Sequence, residues 1–306
     1  MTAKQRKNII LAFLERLNGS VTAKCLQKYL FILTRMQSGV RMYDFVPYKY
    51  GCFSFQANQD IVSLERDGYI AIADCEDTDK VYSLLHDARA YQLLDVFEQQ
   101  LVSDVCDKYG KLTQDQLIAF TYRRWPFTAI NSVIKERLLS EEELGKVYEQ
   151  KKRYIDDAPM LFTIGYEGFT LESYLRRLIT NDVRVLVDVR KNAYSRKYGF
   201  SKNILRKGCE GVGIKYMHIP QLGIESAKRQ ILNTQHDYDV LFDEYERTTL
   251  VENWDYLLEL KSIVDDNVRV CLTCFEKDPR QCHRTCIAHA LMAIPGHRYD
   301  FSEILL

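Results

Sequence analysis

This sequence of 306 residues lacks the features that mark membrane, secreted and low-complexity proteins. It has no run of about 18 apolar residues, which argues against a membrane-spanning helix. The basic segment 1–8 leads into an amphipathic pattern and not into the apolar block of a signal peptide. Low-complexity tracts and internal repeats are also missing. We therefore expect a soluble, cytoplasmic protein that does not bind a membrane.

The chain also lacks a net charge, because 42 Lys and Arg residues balance 42 Asp and Glu residues. The charges are unevenly distributed. Residues 1–50 hold nine basic and two acidic residues, and residues 190–207 hold seven basic and no acidic residues. This pattern favours a polyanionic partner, either nucleic acid (DNA above all) or a nucleotide, although a solvated surface of mixed charge would produce it too. Nine cysteines without the spacing of a small disulfide-rich domain predict reduced thiols.

The length suggests two domains. A highly charged stretch that ends in Asp157-Ala158-Pro159 predicts their boundary, which gives domains of residues 1–155 and 156–306.

The first domain is predicted to be mainly helical. Apolar residues recur at helical spacing in three segments, and Thr22 and Ser54 are suited to cap the second and third helices. Two strand-like runs then flank an acidic turn at residues 74–80. The order of three helices and a hairpin is typical of a winged helix.

The second domain alternates strands and helices, which predicts a parallel, Rossmann-like sheet with crossover helices. The fold class is therefore α/β, with a mainly α winged-helix-like domain in front of the sheet domain. The predicted strands are residues 161–164, 184–189, 215–219, 268–274 and an edge strand at 298–301, and the predicted helices are residues 170–180, 201–208, 238–264 and 282–293.

Residues that follow parallel strands should converge at one edge of the sheet. Asp188 and Arg190 are two residues apart at the end of a buried strand, where a charge is costly unless it is paired or functional. They form either a structural pair or a base with an anion-binding arginine. Glu276 supplies a second carboxylate after another strand, and two carboxylates suit hydrolysis through an acid and a base.

The helix that opens with Cys282 and His283 is a second candidate feature. Amides at a helix N-terminus favour anions, and Lys277 and Arg284 would strengthen the binding of a phosphate. Cys282 could also be a nucleophile beside His283. A cysteine phosphatase or sulfurtransferase loop is disfavoured, because acidic residues follow Cys274 where a phosphate would bind.

A structural zinc site is the alternative for these cysteines. Cys271 and Cys274 are three apart on a predicted strand and should point to opposite faces. Cys282 and Cys286 share a helix face and would also suit a core. We therefore interpret the cysteines as packing residues and expect no metal and no cofactor.

Aromatic residues are interleaved with the second basic segment. Tyr166, Asn192, Tyr194 and Ser195 follow two of the predicted strands, and rings among cations can stack on nucleotide bases. Ordinary packing of these aromatic residues under a loop remains an alternative. Tyr166 is included among the candidate catalytic residues.

Two family resemblances add to this interpretation. Residues 26–31 and 43–54, with the helix up to Gly68, resemble the Panacea antitoxin-like winged-helix proteins, which implies a DNA-binding or protein-binding module. Five motifs in order, at residues 162–168, 187–192, 194–201, 218–223 and 274–284, resemble the family called domain of unknown function 488 over about residues 160–300. That resemblance implies a family and no activity.

The preferred hypothesis is a hydrolase that cleaves a glycosidic or phosphoester bond of nucleic acid or a nucleotide. Its predicted base is Asp188 and its predicted acid is Glu276, with His283 assisting proton transfer, and Arg190, Lys277 and Arg284 hold phosphate. The winged helix would bring it to DNA. The alternative is a non-catalytic module that binds a nucleotide or DNA, or an antitoxin-like regulator that binds a protein through its first domain.

Overall fold

The structure, a computed structural model, describes residues 1–39, 41–75, 79–229 and 232–305. The chain divides into two compact units, Met1–Arg153 and Tyr154–Leu306. Within the described ranges, every helix is too short or too polar to cross a lipid bilayer.

Helices dominate the N-terminal unit. Thr22 and Ser54 cap the second and third helices as predicted, because their hydroxyls accept hydrogen bonds from the backbone amides of Cys25 and Ala57. The helices are α1 (Ala3–Arg16), α2 (Ala23–Met36), α3 (Phe55–Arg66), α4 (Val96–Tyr109), α5 (Gln114–Arg124), α6 (Lys135–Leu138) and α7 (Glu141–Lys152).

The strands of this unit form two small antiparallel sheets. They are β1 (Ser20–Thr22), β2 (Val46–Tyr48), β3 (Gly51–Phe53), β4 (Ile70–Cys75) and β5 (Asp79–Leu84). The predicted hairpin is β4 with β5, and β1 adds a third strand beside β5 that the sequence did not predict. Residues 76–78 of the predicted acidic turn lie outside the described residues. The winged-helix assignment remains a prediction.

Five of the nine basic residues of segment 1–50 have partners within the unit, so these five do not add to a free basic surface. Lys28 is buried and donates to the carbonyls of Tyr50 and Cys52. The ion pairs are Arg6 with Asp60, Lys7 with Asp67, Arg16 with Asp107, and Lys24 with Asp79.

The C-terminal unit contains the predicted parallel sheet. Its strands are β6 (Met160–Gly165), β7 (Val185–Asp188), β8 (Lys215–His218), β9 (Arg269–Cys274) and β10 (Asp300–Ile304). All pair in parallel, in the order β10-β6-β9-β7-β8. The late strand β9 therefore lies between β6 and β7, with short edge strands outside.

The crossover helices agree with the prediction except in one place. The predicted helix 238–264 is three helices, because the chain is interrupted at Thr248 and Asn253, whose side chains bond to carbonyls one turn back. The helices are α8 (Leu171–Thr180), α9 (Lys202–Glu210), α10 (Gln235–Arg247), α11 (Thr249–Glu252), α12 (Trp254–Asn267) and α13 (His283–Ala293).

The two faces of the sheet carry different side chains. Val185 and Val187 belong to the same apolar cluster as residues of α10 to α13. Side chains alternate along a strand, so Leu186 and Asp188 point to the opposite face. On that face the Tyr174 hydroxyl of α8 donates to Thr273, the register partner of Asp188, at 2.7 Å.

Candidate functional site

The carboxyl ends of β6, β7 and β9 meet at one edge of the sheet. The backbone amides of Tyr166 and Glu167 donate to the carbonyls of Cys274 and Phe275. Gly165 permits this close approach, because a Cβ there would collide with the backbone carbonyl of Glu276. The predicted site residues that follow these strands are therefore neighbours, and they form two groups.

The first group is a buried ion pair. Asp188 is 0% exposed, and its carboxylate accepts from Arg190 Nε at 2.8 Å and from Arg190 Nη2 at 2.5 Å. The hydroxyl of Tyr216 donates to the same carboxylate at 2.7 Å. The remaining Nη1 of Arg190 donates to the Tyr166 hydroxyl and to the Phe200 carbonyl. These partners favour the structural pairing over a free base and a free anion-binding arginine.

Tyr166 is held in place by the Asp188–Arg190 ion pair and by neighbouring aromatic rings. Its ring stacks on Phe200 with a centroid distance of 4.4 Å and meets Phe275 edge-on at 5.3 Å. The residue is buried, and its hydroxyl accepts from Arg190. Tyr166 therefore packs beneath the loops that follow the strands, and its catalytic role remains a prediction that this environment does not favour.

The second group surrounds the end of β9. Cys274 Sγ lies 3.3 Å from a carboxylate oxygen of Glu276 and 3.6 Å from His283 Nδ1. Arg229 donates to the other Glu276 oxygen, and its Nη2 donates to His283 Nδ1 at 2.6 Å. The Sγ of Cys282 joins the cluster, since the ligand atoms of Cys274, Cys282 and His283 all lie within 4.8 Å of one another. We call these five residues the thiol cluster.

The protonation of His283 follows from its partners. Nε2 lies 3.0 Å from the carbonyl oxygen of Val189, which can only accept, so Nε2 carries the hydrogen. Nδ1 faces an arginine, which can only donate, so Nδ1 is unprotonated. The Nδ1 lone pair of His283 is therefore directed into the thiol cluster.

Burial and charge perturb the acids of the thiol cluster. Burial raises the pKa of the Glu276 carboxyl, and the Cys274 sulfur raises it further, against the effect of Arg229. Burial alone would raise the pKa of the Cys274 thiol. The hydrogen bond with Cys282 and the interactions with His283 and Arg229 have a larger, opposite effect, so this pKa lies well below its usual range. Burial and the bond to Cys274 raise the pKa of Cys282.

The Asp188–Arg190 ion pair and the thiol cluster lie on opposite faces of the sheet. Asp188 shares its face with Thr273, so Cys274, the next residue of β9, points to the other face, where the Tyr245 ring of α10 packs against His283. Asp188 and Glu276 therefore belong to different clusters. The prediction that they act together as a base and an acid is not favoured by this geometry.

The comparison with known proteins concerns the C-terminal unit alone. Residues 170–291 match the family model described as domain of unknown function DUF488. No curated protein matches the chain. The DUF488 match includes the Asp188–Arg190 pair and all of the thiol cluster, whereas Tyr166 precedes it. The resemblance of the N-terminal domain to Panacea proteins remains a prediction.

The predicted phosphate-binding residues of the DUF488 segment divide into buried and exposed ones. Arg284 is 1% exposed, and its guanidinium donates to the backbone carbonyls of Glu276 at 2.6 Å and Lys277 at 3.4 Å. It holds the loop after β9 in place, which does not favour a role in binding phosphate. The side chain of Lys277 is exposed, and its backbone amide donates to Glu167.

The loop after β7 forms the exposed part of the same edge. The Tyr194 ring is 71% exposed, and the Asn192 side chain accepts from the Tyr194 amide at 3.1 Å. Ser195 is half-buried and bonds to Ser201, which closes the loop. Lys191 and Arg196 of this loop are also exposed, as is Arg206 of the following helix α9. These side chains are exposed, and their role in binding a base or a phosphate stays a prediction.

Sequence reasoning missed three members of the thiol cluster. Cys274 and Cys282 were interpreted as packing residues, and both are buried, yet their sulfurs face Glu276 and His283 and not an apolar core. Arg229 carries no signal in the sequence, because no motif surrounds it and it is 47 residues from Glu276. The signals that point to this place are the carboxylate of Glu276 after β9 and the Cys-His-Arg segment at the start of α13.

Proposed function

We propose that the C-terminal unit is an enzyme that hydrolyses a glycosidic or phosphoester bond of a nucleotide or nucleic acid. The observation that carries this proposal is the thiol cluster at the carboxyl end of the central strand, in which two buried thiols and a buried imidazole meet a half-buried carboxylate and a half-buried guanidinium. Ligand sites of open parallel sheets lie at this edge.

Glu276 is the proposed proton-transfer group. Its carboxylate is half-buried, pairs with Arg229 and lies beside the imidazole of His283 and the thiol of Cys274. In a hydrolysis, Glu276 takes a proton from the attacking water and returns it to the leaving group, so protons balance without a redox partner. Asp188 becomes a positioning residue that holds Arg190 and the Tyr166 ring.

The exposed loop after β7 supports a nucleotide or nucleic acid as the substrate. Tyr194 offers a ring on which a base can stack, and Lys191, Arg196 and Arg206 offer positive charge for phosphates. The charge of the N-terminal unit adds less, because most of its early basic residues are paired internally. We therefore place substrate recognition on the C-terminal unit, with DNA binding by the N-terminal domain as a further part of the proposal.

The test compares Glu276→Gln with the matched control Glu259→Gln, which changes an exposed residue of α12. Single-stranded DNA, duplex DNA, RNA and nucleoside monophosphates are incubated with each protein, and free bases, nucleotides and phosphate are separated by chromatography. We expect Glu276→Gln to lower turnover by about 100- to 10,000-fold, the usual contribution of a general acid or base, while substrate binding persists.

Two outcomes would oppose the proposal. Equal turnover in Glu276→Gln and wild type would remove Glu276 from the chemistry. Binding of these nucleic acids with no turnover by the wild-type protein would instead support the non-catalytic binding module. Circular dichroism of both variants checks that a loss of activity is not a loss of folding.

A further inference from the structure

We propose that Cys274, Cys282 and His283 form a zinc site with three protein ligands, and that Glu276 lies beside the open fourth position. The site is assembled from the end of β9 and the start of α13, which the loop at residues 275–282 brings together. Two thiolates and an imidazole are a ligand set that zinc accepts in catalytic sites.

The spacing of the ligand atoms fits a tetrahedral ion. Typical Zn–S and Zn–N distances with tetrahedral angles place sulfur and nitrogen about 3.6 Å apart. Cys274 Sγ and His283 Nδ1 are separated by 3.6 Å, and Cys282 Sγ lies within 4.8 Å of both. An ion of this size therefore fits between the three atoms with small movements of side chains.

The hydrogen bond of His283 is a second and independent observation. A histidine that binds a metal through one ring nitrogen usually donates the other to a carbonyl or carboxylate, which fixes the tautomer. Nε2 of His283 is bonded in this way to the carbonyl of Val189 on the neighbouring strand. The lone pair of Nδ1 is thereby directed at the two sulfurs before any ion binds.

Arg229 shows that this ligand set already attracts a cation. Its guanidinium contacts Nδ1 of His283 and the carboxylate of Glu276. Zinc would displace Nη2 from Nδ1 while the Glu276 contact can persist. The two charges of the ion and that of Arg229 then balance the two thiolates and the carboxylate, so the buried site stays neutral, as burial requires.

The position of Glu276 resembles that of a general base at a metal centre. An ion with an open position can bind water and activate it for attack. Glu276 would then act on the same water as in the hydrolysis proposed above. This role of the ion rests on the proposed function, whereas binding of the ion does not.

The experiment uses the full chain, purified with a non-thiol reductant, stripped with a chelator and reloaded with Zn²⁺ or Co²⁺ alone. Bound metal is measured by elemental analysis after dialysis, and the cobalt form by its absorption spectrum. We expect about one ion per chain, thiolate-to-cobalt charge-transfer bands and intense ligand-field bands, as tetrahedral sulfur ligation requires. The wild-type cobalt spectrum needs no variant, so it remains decisive if a variant fails to fold.

Matched variants locate the ion. Cys282→Ala and His283→Ala should lose the metal, while the controls Cys286→Ala and His289→Ala, on the same helix, should keep it. Glu276→Gln should keep the metal; its loss would make Glu276 a ligand and contradict the open position. A wild-type protein that retains no ion, or a cobalt form without charge-transfer bands, would refute the zinc site. Arg229 would then be the cation that neutralises the thiol cluster.

The two proposals fail separately. Zinc bound at these residues without turnover on any of the substrates would contradict the proposed function and leave the metal site in place. Turnover that depends on Glu276 and persists in the stripped protein would remove the ion from the chemistry and leave the proposed function in place, and the metal analysis alone would then decide whether the site binds zinc.

Discussion

Replacing Asp188 by Asn tests whether this carboxylate is structural. The substitution keeps the size of the side chain and removes its charge. Arg190 would remain beneath the loops with 6% exposure and without a counter-charge. The Tyr216 hydroxyl would lose a charged acceptor, whereas the contacts of Arg190 with Tyr166 and Phe200 would remain.

The magnitude follows from the burial of both partners. Breaking a buried pair by neutralising one member typically costs about 3–5 kcal/mol, because the other charge stays buried. For a unit of this size each kcal/mol lowers the melting temperature by about 2–4 °C, so the expected decrease is about 6–20 °C. The contrast is Asp182→Asn, which weakens a more exposed contact with Arg184 and should cost about 0–1 kcal/mol.

Differential scanning calorimetry of the full chain measures both variants, and the transition of the C-terminal unit is the one to follow. A double variant, Asp188→Asn with Arg190→Met, should recover much of the loss, since neither charge is then buried alone. The structural assignment would be refuted if Asp188→Asn melted within about 2 °C of wild type. Wild-type stability with no turnover would show that Asp188 is catalytic after all.

Two further predictions concern backbone approaches and a buried lysine. Gly165→Ala should destabilise the C-terminal unit and lower turnover, because the added Cβ would collide with the carbonyl of Glu276. The control is Gly145→Ala in α7, where the added Cβ meets open space. In thermal unfolding this control should stabilise its helix by about 0.5–1 kcal/mol. Lys28→Met should cost about 1–3 kcal/mol in urea unfolding of the N-terminal unit, because two carbonyls lose their donor; an unchanged midpoint would show that water replaces it.

Local patterns in the sequence predicted much of the fold. The run of apolar residues in β9 and the cap residues Thr22 and Ser54 act over a few positions, so their effect is visible in one sequence. The break at Thr248 was not visible, because the apolar spacing continues across it. The pairing of β1 with β5 was missed for a different reason, since it joins segments about 60 residues apart.

The candidate site was only partly predictable. Alternation along β9 correctly separates Cys271 from Cys274, yet it cannot show that the loop after the strand returns Cys282 to Cys274. The place of Arg229 depends on a long connection between β8 and α10. The charge excess of residues 1–50 overstates the unpaired charge for the same reason, because acidic partners such as Asp60 and Asp107 lie further along the chain.

The position of β9 between β6 and β7 has a consequence for synthesis on the ribosome. β6 and β7 are made first, but they are not neighbours, and the strand that joins them follows about 80 residues after β7. Until β9 emerges, the edges of β6 and β7 that will pair with it have backbone groups without hydrogen-bond partners. Such open edges can pair with the wrong strand. The same late strand carries Cys274, so the thiol cluster cannot assemble before β9 has joined the sheet.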